Sequence, residues 1–82
     1  MVMYEAGMLA RSKAGHDKAQ MYIIKEVDDT YVYLVDGRIR TLGHPKKKKK
    51  KHVQIVHGIY NMKELDDAGI RKLIKDWMQE EK

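Results

Sequence analysis

Cysteine is absent from this 82-residue chain. That excludes disulfides and thiolate metal sites and fits a reducing compartment. Serine occurs once, as Ser12, and no Gly-x-Ser-x-Gly elbow, His-Glu-x-x-His helix motif or Walker-type glycine loop is present. The histidines His16, His44, His52 and His57 show none of the tight Cys/His pairings of zinc sites. Two acidic pairs, Asp28-Asp29 and Asp66-Asp67, read as a turn and a helix cap. The expectation is therefore a non-enzymatic protein with no metal, no cofactor and no small-molecule substrate. No apolar run approaches the ~18 residues of a membrane span. Residues Met1 to Glu5 lack the basic segment and the apolar stretch of roughly 7–15 residues that open a signal peptide. A soluble, cytoplasmic protein that does not act at a membrane is expected. A chain of this length reads as a single folded unit that buries only about 60–65% of its extended surface, too little to enclose a deep catalytic pocket.

What is present in excess is positive charge, and it is unevenly placed. The formal net charge is +5. Up to His57 there are 12 Lys/Arg against 6 Asp/Glu, and from Gly58 onward 5 against 6. A basic front and a near-neutral tail favour a polyanionic partner for the front.

The front half carries β patterns. Met8-Leu9-Ala10-Arg11-Ser12 is a short strand candidate opened by Gly7, and Lys13 to Lys18 is a polar turn containing Gly15. Met21 to Val27 and Tyr31 to Val35 are rich in β-branched and aromatic residues, with Asp28-Asp29 breaking the run between them. Asp36-Gly37 suits a type I′ turn, so Tyr31 to Leu42 is expected to form a tight hairpin. Its second strand would place Arg38 and Arg40 on one face. Gly43-His44-Pro45 then stops the strand, six consecutive lysines follow, and Val53 to Val56 is a last short strand. Five short strands in about fifty residues predict a small barrel. The period then changes. Ile70, Leu73, Ile74, Trp77 and Met78 lie at amphipathic-helix spacing, with Asp66 as N-cap and Leu65 and Ile70 at staple positions. A helix from Asp67 to Gln79 is expected, with Trp77 anchoring it. Residues 1–57 would form the barrel, and residues 58–82 a linker and a helix packed on or beside it.

The candidate binding residues follow from the charge pattern. Lys46, Lys47, Lys48, Lys49, Lys50 and Lys51 repel one another, so the segment is expected as a phosphate-binding loop at residues 43–52, tethered at both ends by strands. Lysine is a flexible point charge suited to phosphate contact rather than base reading. His44 and His52 flank the run and are candidate phosphate contacts. Arg11, Lys13, Gly15, His16 and Lys18 form a second basic group around the first turn, which Arg38 and Arg40 would extend. Tyr31 and Tyr33 share a strand face and offer either a stacking platform for bases or cross-strand packing. A lysine run alone also fits solubility, nuclear import or an anionic membrane surface.

The order of these features resembles a known family. Gly7-Met8-Leu9-Ala10-Arg11-Ser12-Lys13-Ala14-Gly15-His16-Asp17-Lys18 looks like the opening of a KOW domain, and Tyr22 to Val27 is similar to its second strand. Tyr33-Leu34-Val35-Asp36-Gly37 and the segment from Pro45 through the lysines to His52-Val53 resemble stretches of large-subunit ribosomal proteins of archaeal and eukaryotic type, the ribosomal protein fourteen family among them. The resemblance spans residues 5–57. Ala19 stands where many KOW motifs carry glycine. The resemblance implies a mainly β, five-stranded SH3-like barrel, here with a C-terminal α-helix. It also implies binding of ribosomal or other structured RNA in translation or ribosome assembly, with Lys13, Gly15, His16, Lys18 and the lysine segment toward RNA. The rival expectation is a protein-interaction module that uses the barrel and the helix stripe.

Overall fold

A computed structural model describes residues 3–13 and 20–80. It contains strands β1 (Met8–Ser12), β2 (Met21–Val27), β3 (Tyr31–Val35), β4 (Lys46–Lys49) and β5 (Val53–Ile59), and helix α1 (Asp67–Glu80). Short 3-10 turns occupy Lys50–His52 and Met62–Glu64. The sheet order is β4-β3-β2-β1-β5, antiparallel throughout. This curled sheet, with one 3-10 turn carrying the chain from β4 at one border to β5 at the other, is a small SH3-like barrel. Its curl has local causes. Register shifts interrupt the β1–β5 ladder on either side of Leu9 and the β2–β3 ladder between Ile24 and Glu26, and such irregularities bend a strand and increase its twist.

The sheet buries both of its faces. Alternation along β2 sends Met21 and Ile23 to one side and Tyr22 and Ile24 to the other, and all four are buried. A strand covered on both faces reads as a continuous apolar run, which is why Met21 to Ile24 shows no polar alternation. On one side Leu9, Met21, Ile23 and Val35 pack with Ile70 and Ile74 of α1. On the other, Ala10, Tyr22, Ile24, Val32, Leu34 and Val53 form a second cluster that contains no helical residue. The sheet's own curl covers that cluster, with Tyr4 laid across it. The Tyr4 hydroxyl lies 3.0 Å from the Lys50 carbonyl and 3.4 Å from that of Val53, so it ties the N-terminal segment to the β4–β5 turn.

Helix α1 starts where capping chemistry dictates. The Asp66 carboxylate accepts the Gly69 N–H at 2.7 Å, satisfying one of the free donors of the first turn. Asn61 instead caps the short 3-10 turn before it, accepting from the Lys63 N–H. The helix runs one residue beyond the expected end. Its stripe packs on the sheet through Ile70 and Ile74, with Leu73 and Trp77 half-buried and Met78 exposed.

The expected hairpin from Tyr31 to Leu42 does not form. Asp36 Oδ1 accepts the backbone N–H groups of both Arg38 and Arg40, at 2.8 and 3.0 Å. The N–H groups of Asp36 and Gly37 both donate to the Arg40 carbonyl. These bonds close a compact loop and withhold the Arg38 and Arg40 donors from a ladder with β3. The loop is pinned on α1, because Arg71 Nη1 donates to the Gly37 carbonyl and the Leu42 N–H donates to Asp67 Oδ1 at 2.8 Å. Arg38 and Arg40 are therefore loop residues rather than neighbours on a strand face.

The vacant border of β3 is filled by lysines. Residues 46–49 are strand β4, paired as Leu34↔Lys46, Tyr33↔Lys47, Val32↔Lys48 and Tyr31↔Lys49. The expected lysine loop is thus replaced by an ordered edge strand and a 3-10 turn. Two physical terms favour this outcome. Backbone groups at the β3 edge need partners. Extension also sends successive lysines to opposite faces, which separates charges that a compact conformation would crowd.

Candidate nucleic-acid interface

Directly paired residues in a ladder share a face. Lys46 and Lys48 therefore stand on the side of Leu34 and Val32, and both are half-buried. Long aliphatic stems can line an apolar rim while their charged ends reach water. Lys47 and Lys49 lie on the opposite side with Tyr33 and Tyr31, and both are exposed. A lysine edge strand also blocks pairing with a second sheet. That protective role accounts for charge at the border; it gives no account of the cations that continue the border at both ends.

At the start of β4 stand His44, exposed in a turn closed by its N–H on the Thr41 carbonyl, and the loop carrying Arg38 and Arg40. Arg38 is exposed and Arg40 half-buried. Beyond β4 the turn presents Lys50, Lys51 and His52. The Lys13 N–H donates to the His52 carbonyl at 2.9 Å, which joins the end of β1 to this turn. The result is a cationic margin formed by Lys46 to Lys51, with Lys13 joined to its end. Arg11 lies on β1 rather than on the lysine strand or its turn. It pairs with Met21 and Gln54 in mid-sheet, two residues before Lys13. Gly15, His16 and Lys18 lie outside the described residues.

A groove of about 360 Å³ indents this margin, lined by Asp29, Thr30, Lys49, Lys50 and Lys51. Its wall is held by Lys50, whose backbone N–H donates to the Thr30 carbonyl and whose ammonium donates to the Asp29 carbonyl at 3.1 Å. Exposed Lys49 and Lys51 stand on either side of that anchor.

The tyrosines are already engaged within the fold. The Lys47 ammonium sits 4.2 Å from the centroid of the Tyr31 ring, a cation–π contact that occupies one ring face. The Tyr33 hydroxyl donates to Asp28 Oδ2 at 2.9 Å, and Asp28 Oδ1 accepts the N–H groups of Tyr31 and Thr30. These bonds, led by that from Tyr31, hold the Asp28 carboxyl below its ordinary value. The same carboxylate pushes the Tyr33 phenol above its own. Tyr31 and Tyr33 thus serve the β2–β3 turn and the lysine strand, which corresponds to the packing alternative.

Charge patterning missed two groups. Arg71 and Lys75 lie in the near-neutral tail, yet both line a cleft shared with Arg38. Their signal was the four-residue spacing beside the buried Ile70 and Ile74. Lys25 was also passed over; its ammonium donates to the Leu42 carbonyl at 2.8 Å and braces the segment leading to β4. Among the described residues no group of three or more His, Asp or Glu is placed to hold a metal ion. None of the described helices is long and apolar enough to cross a membrane. Comparison with models of known protein families and with curated proteins finds no match for this chain.

Proposed function

We propose that this protein is a non-enzymatic RNA-binding protein that acts in translation or ribosome assembly, with ribosomal RNA as its partner and the cytoplasm as its compartment. The observation that carries this reading is the ordered lysine margin. Four lysines on an edge strand and two on the adjoining turn place six charges along one border of the sheet. Arg38 and Arg40 lead into it and Lys13 adjoins its end. An extended row of point charges suits a phosphodiester backbone, which is itself a row of charges. The resemblance of residues 5–57 to KOW-type ribosomal proteins supports the same reading. In the protein-interaction alternative the helix would offer Ile70, Leu73, Trp77 and Met78 to a partner; of these Ile70 is buried, Leu73 and Trp77 are half-buried and Met78 is exposed.

Titration of a structured RNA at several salt concentrations tests the proposal. Engagement of about four phosphates gives a slope of log K against log salt near −3 to −4. Replacing Lys46 to Lys49 by threonine, a β-forming neutral residue, should flatten that slope by roughly one unit for each phosphate no longer engaged. An absence of binding at low salt, or an unchanged slope in the variant, refutes the reading.

A further inference from the structure

A second cleft, of about 370 Å³, lies between the loop at residues 36–40 and α1, away from the lysine strand. It falls in the size range of small-ligand sites, roughly 300–1,000 Å³. Arg38 enters it from the loop, and Arg71 and Lys75 from one turn of the helix. Like charges four residues apart on a helix repel, so an anion between them would be stabilising. Asp36 is the one carboxylate lining the cleft among the described residues. Its Oδ1 already accepts the Arg38 and Arg40 N–H groups, so it orders the loop and leaves a surplus of positive charge. Arg71 is pre-positioned, because Nη1 donates to the Gly37 carbonyl. The rest of its planar fork retains donors of the geometry that suits phosphate oxygens.

The remaining lining is mixed, with Ile74 and Met78 apolar and the amides of Gln20 and Gln79 polar. Ile74 is buried beneath it, and Met78 is 46% exposed beside it. A methionine thioether is adaptable and makes favourable contacts with flat aromatic rings. Three cations beside such a lining discriminate by chemistry. A bare anion leaves Ile74 and Met78 wet, and an apolar ligand leaves the cations uncompensated. A phosphate monoester bearing a flat ring satisfies both.

We infer that this cleft binds a nucleoside monophosphate group, free or at the end of an RNA chain, with its phosphate on Arg38, Arg71 and Lys75 and its base against Ile74 and Met78. The site includes none of the residues of the lysine strand, shares only Arg38 with the approach to it, and does not depend on the RNA reading.

The test is an NMR titration of the full chain, with labelled methionine methyls and backbone amides, against adenosine monophosphate, adenosine and inorganic phosphate. Adenosine monophosphate should shift the Met78 methyl and the amides of Arg38 and Arg71. It should bind at least about tenfold more tightly than adenosine or inorganic phosphate. Lys75→Glu should weaken it by a similar factor, with helical circular dichroism unchanged. Met78→Ala should weaken adenosine monophosphate and spare inorganic phosphate. Comparing a 5′-phosphorylated oligoribonucleotide with its 5′-hydroxyl form then separates the chain-end source from the free nucleotide. Equal binding of adenosine monophosphate and inorganic phosphate, shifts confined to residues 46–52, or indifference to Lys75→Glu would overturn the inference. The two proposals fail separately. The threonine variant of Lys46 to Lys49 should keep nucleotide binding while RNA binding falls.

Discussion

Gly37 and Asp28 hold the loops beside the cleft and the lysine strand in place. Gly37 has φ +77°, and a Cβ there would collide with the Asp67 carbonyl oxygen of α1. That oxygen belongs to the backbone, so no side-chain rotation relieves the clash. Gly37→Ala should therefore cost at least ~2 kcal/mol in urea unfolding, from left-handed strain plus the collision. Gly43 has open space around its Cβ position, and Gly43→Ala should stay within about 0.5 kcal/mol or stabilise slightly. Equal effects at the two sites would mean that loop and helix do not touch. Asp28 gives a pH prediction. Its folded-state pKa is lowered from 3.8, first by the Tyr31 N–H, then by the Thr30 N–H and the Tyr33 hydroxyl. A lowered carboxyl contributes stability above its unfolded value and loses it as pH falls through the folded value. The turn should thus hold at pH 5 and loosen in acid below about pH 4. A carboxyl-carbon NMR titration should place the Asp28 midpoint below 3.8. A midpoint at or above that value would exclude the clamp.

Among the elements, β4 behaves least as its composition suggests. Six adjacent lysines predict a loop on charge alone, yet four of them complete a ladder with β3. The nature of a neutral replacement therefore matters. Glycine at Lys46 to Lys49 removes charge and weakens the strand, whereas threonine removes charge and keeps β preference. The glycine variant should unfold at lower urea than the threonine variant, by about 1–3 kcal/mol in total given a β scale spanning ~1 kcal/mol per residue. Identical stabilities would return the segment to a loop. Helix α1 shows the opposite relation. Its start, its cap and its buried stripe were all legible, because 3.6-residue spacing and the Asp66 cap are local properties. The loop at residues 36–40 departs from the expected hairpin for an equally local reason. Asp-Gly is a strong hairpin signal, but here the aspartate carboxylate takes the very N–H groups that the second strand would have used.

Across the whole molecule, curl and charge work together. Both sheet faces are buried, and the lysines collect along one border. One border gathers a cationic margin whose members are distant in sequence, with Lys13 brought beside His52 by the backbone bond between them. The helix, near neutral as a segment, delivers Arg71 and Lys75 to a cleft opposite Arg38 only once it has docked. The slope of RNA affinity against salt reads the first arrangement, and nucleotide binding at Met78 reads the second.

The sequence by itself determined the mainly β class, strands β1, β2, β3 and the start of β5, the turn at Asp28 and the capped amphipathic helix. Each rests on periodicity, propensity or side-chain capping within a few residues. It also determined that the front half is strongly basic. Tertiary structure alone decided which segment completes the sheet beside β3 and which cations share a surface. Those outcomes depend on competition between distant partners for the same backbone donors and on the docking of α1. The lysine segment shows both halves of this division. Its charge was evident from the residues, but its extended and ordered form came from the vacant edge of β3.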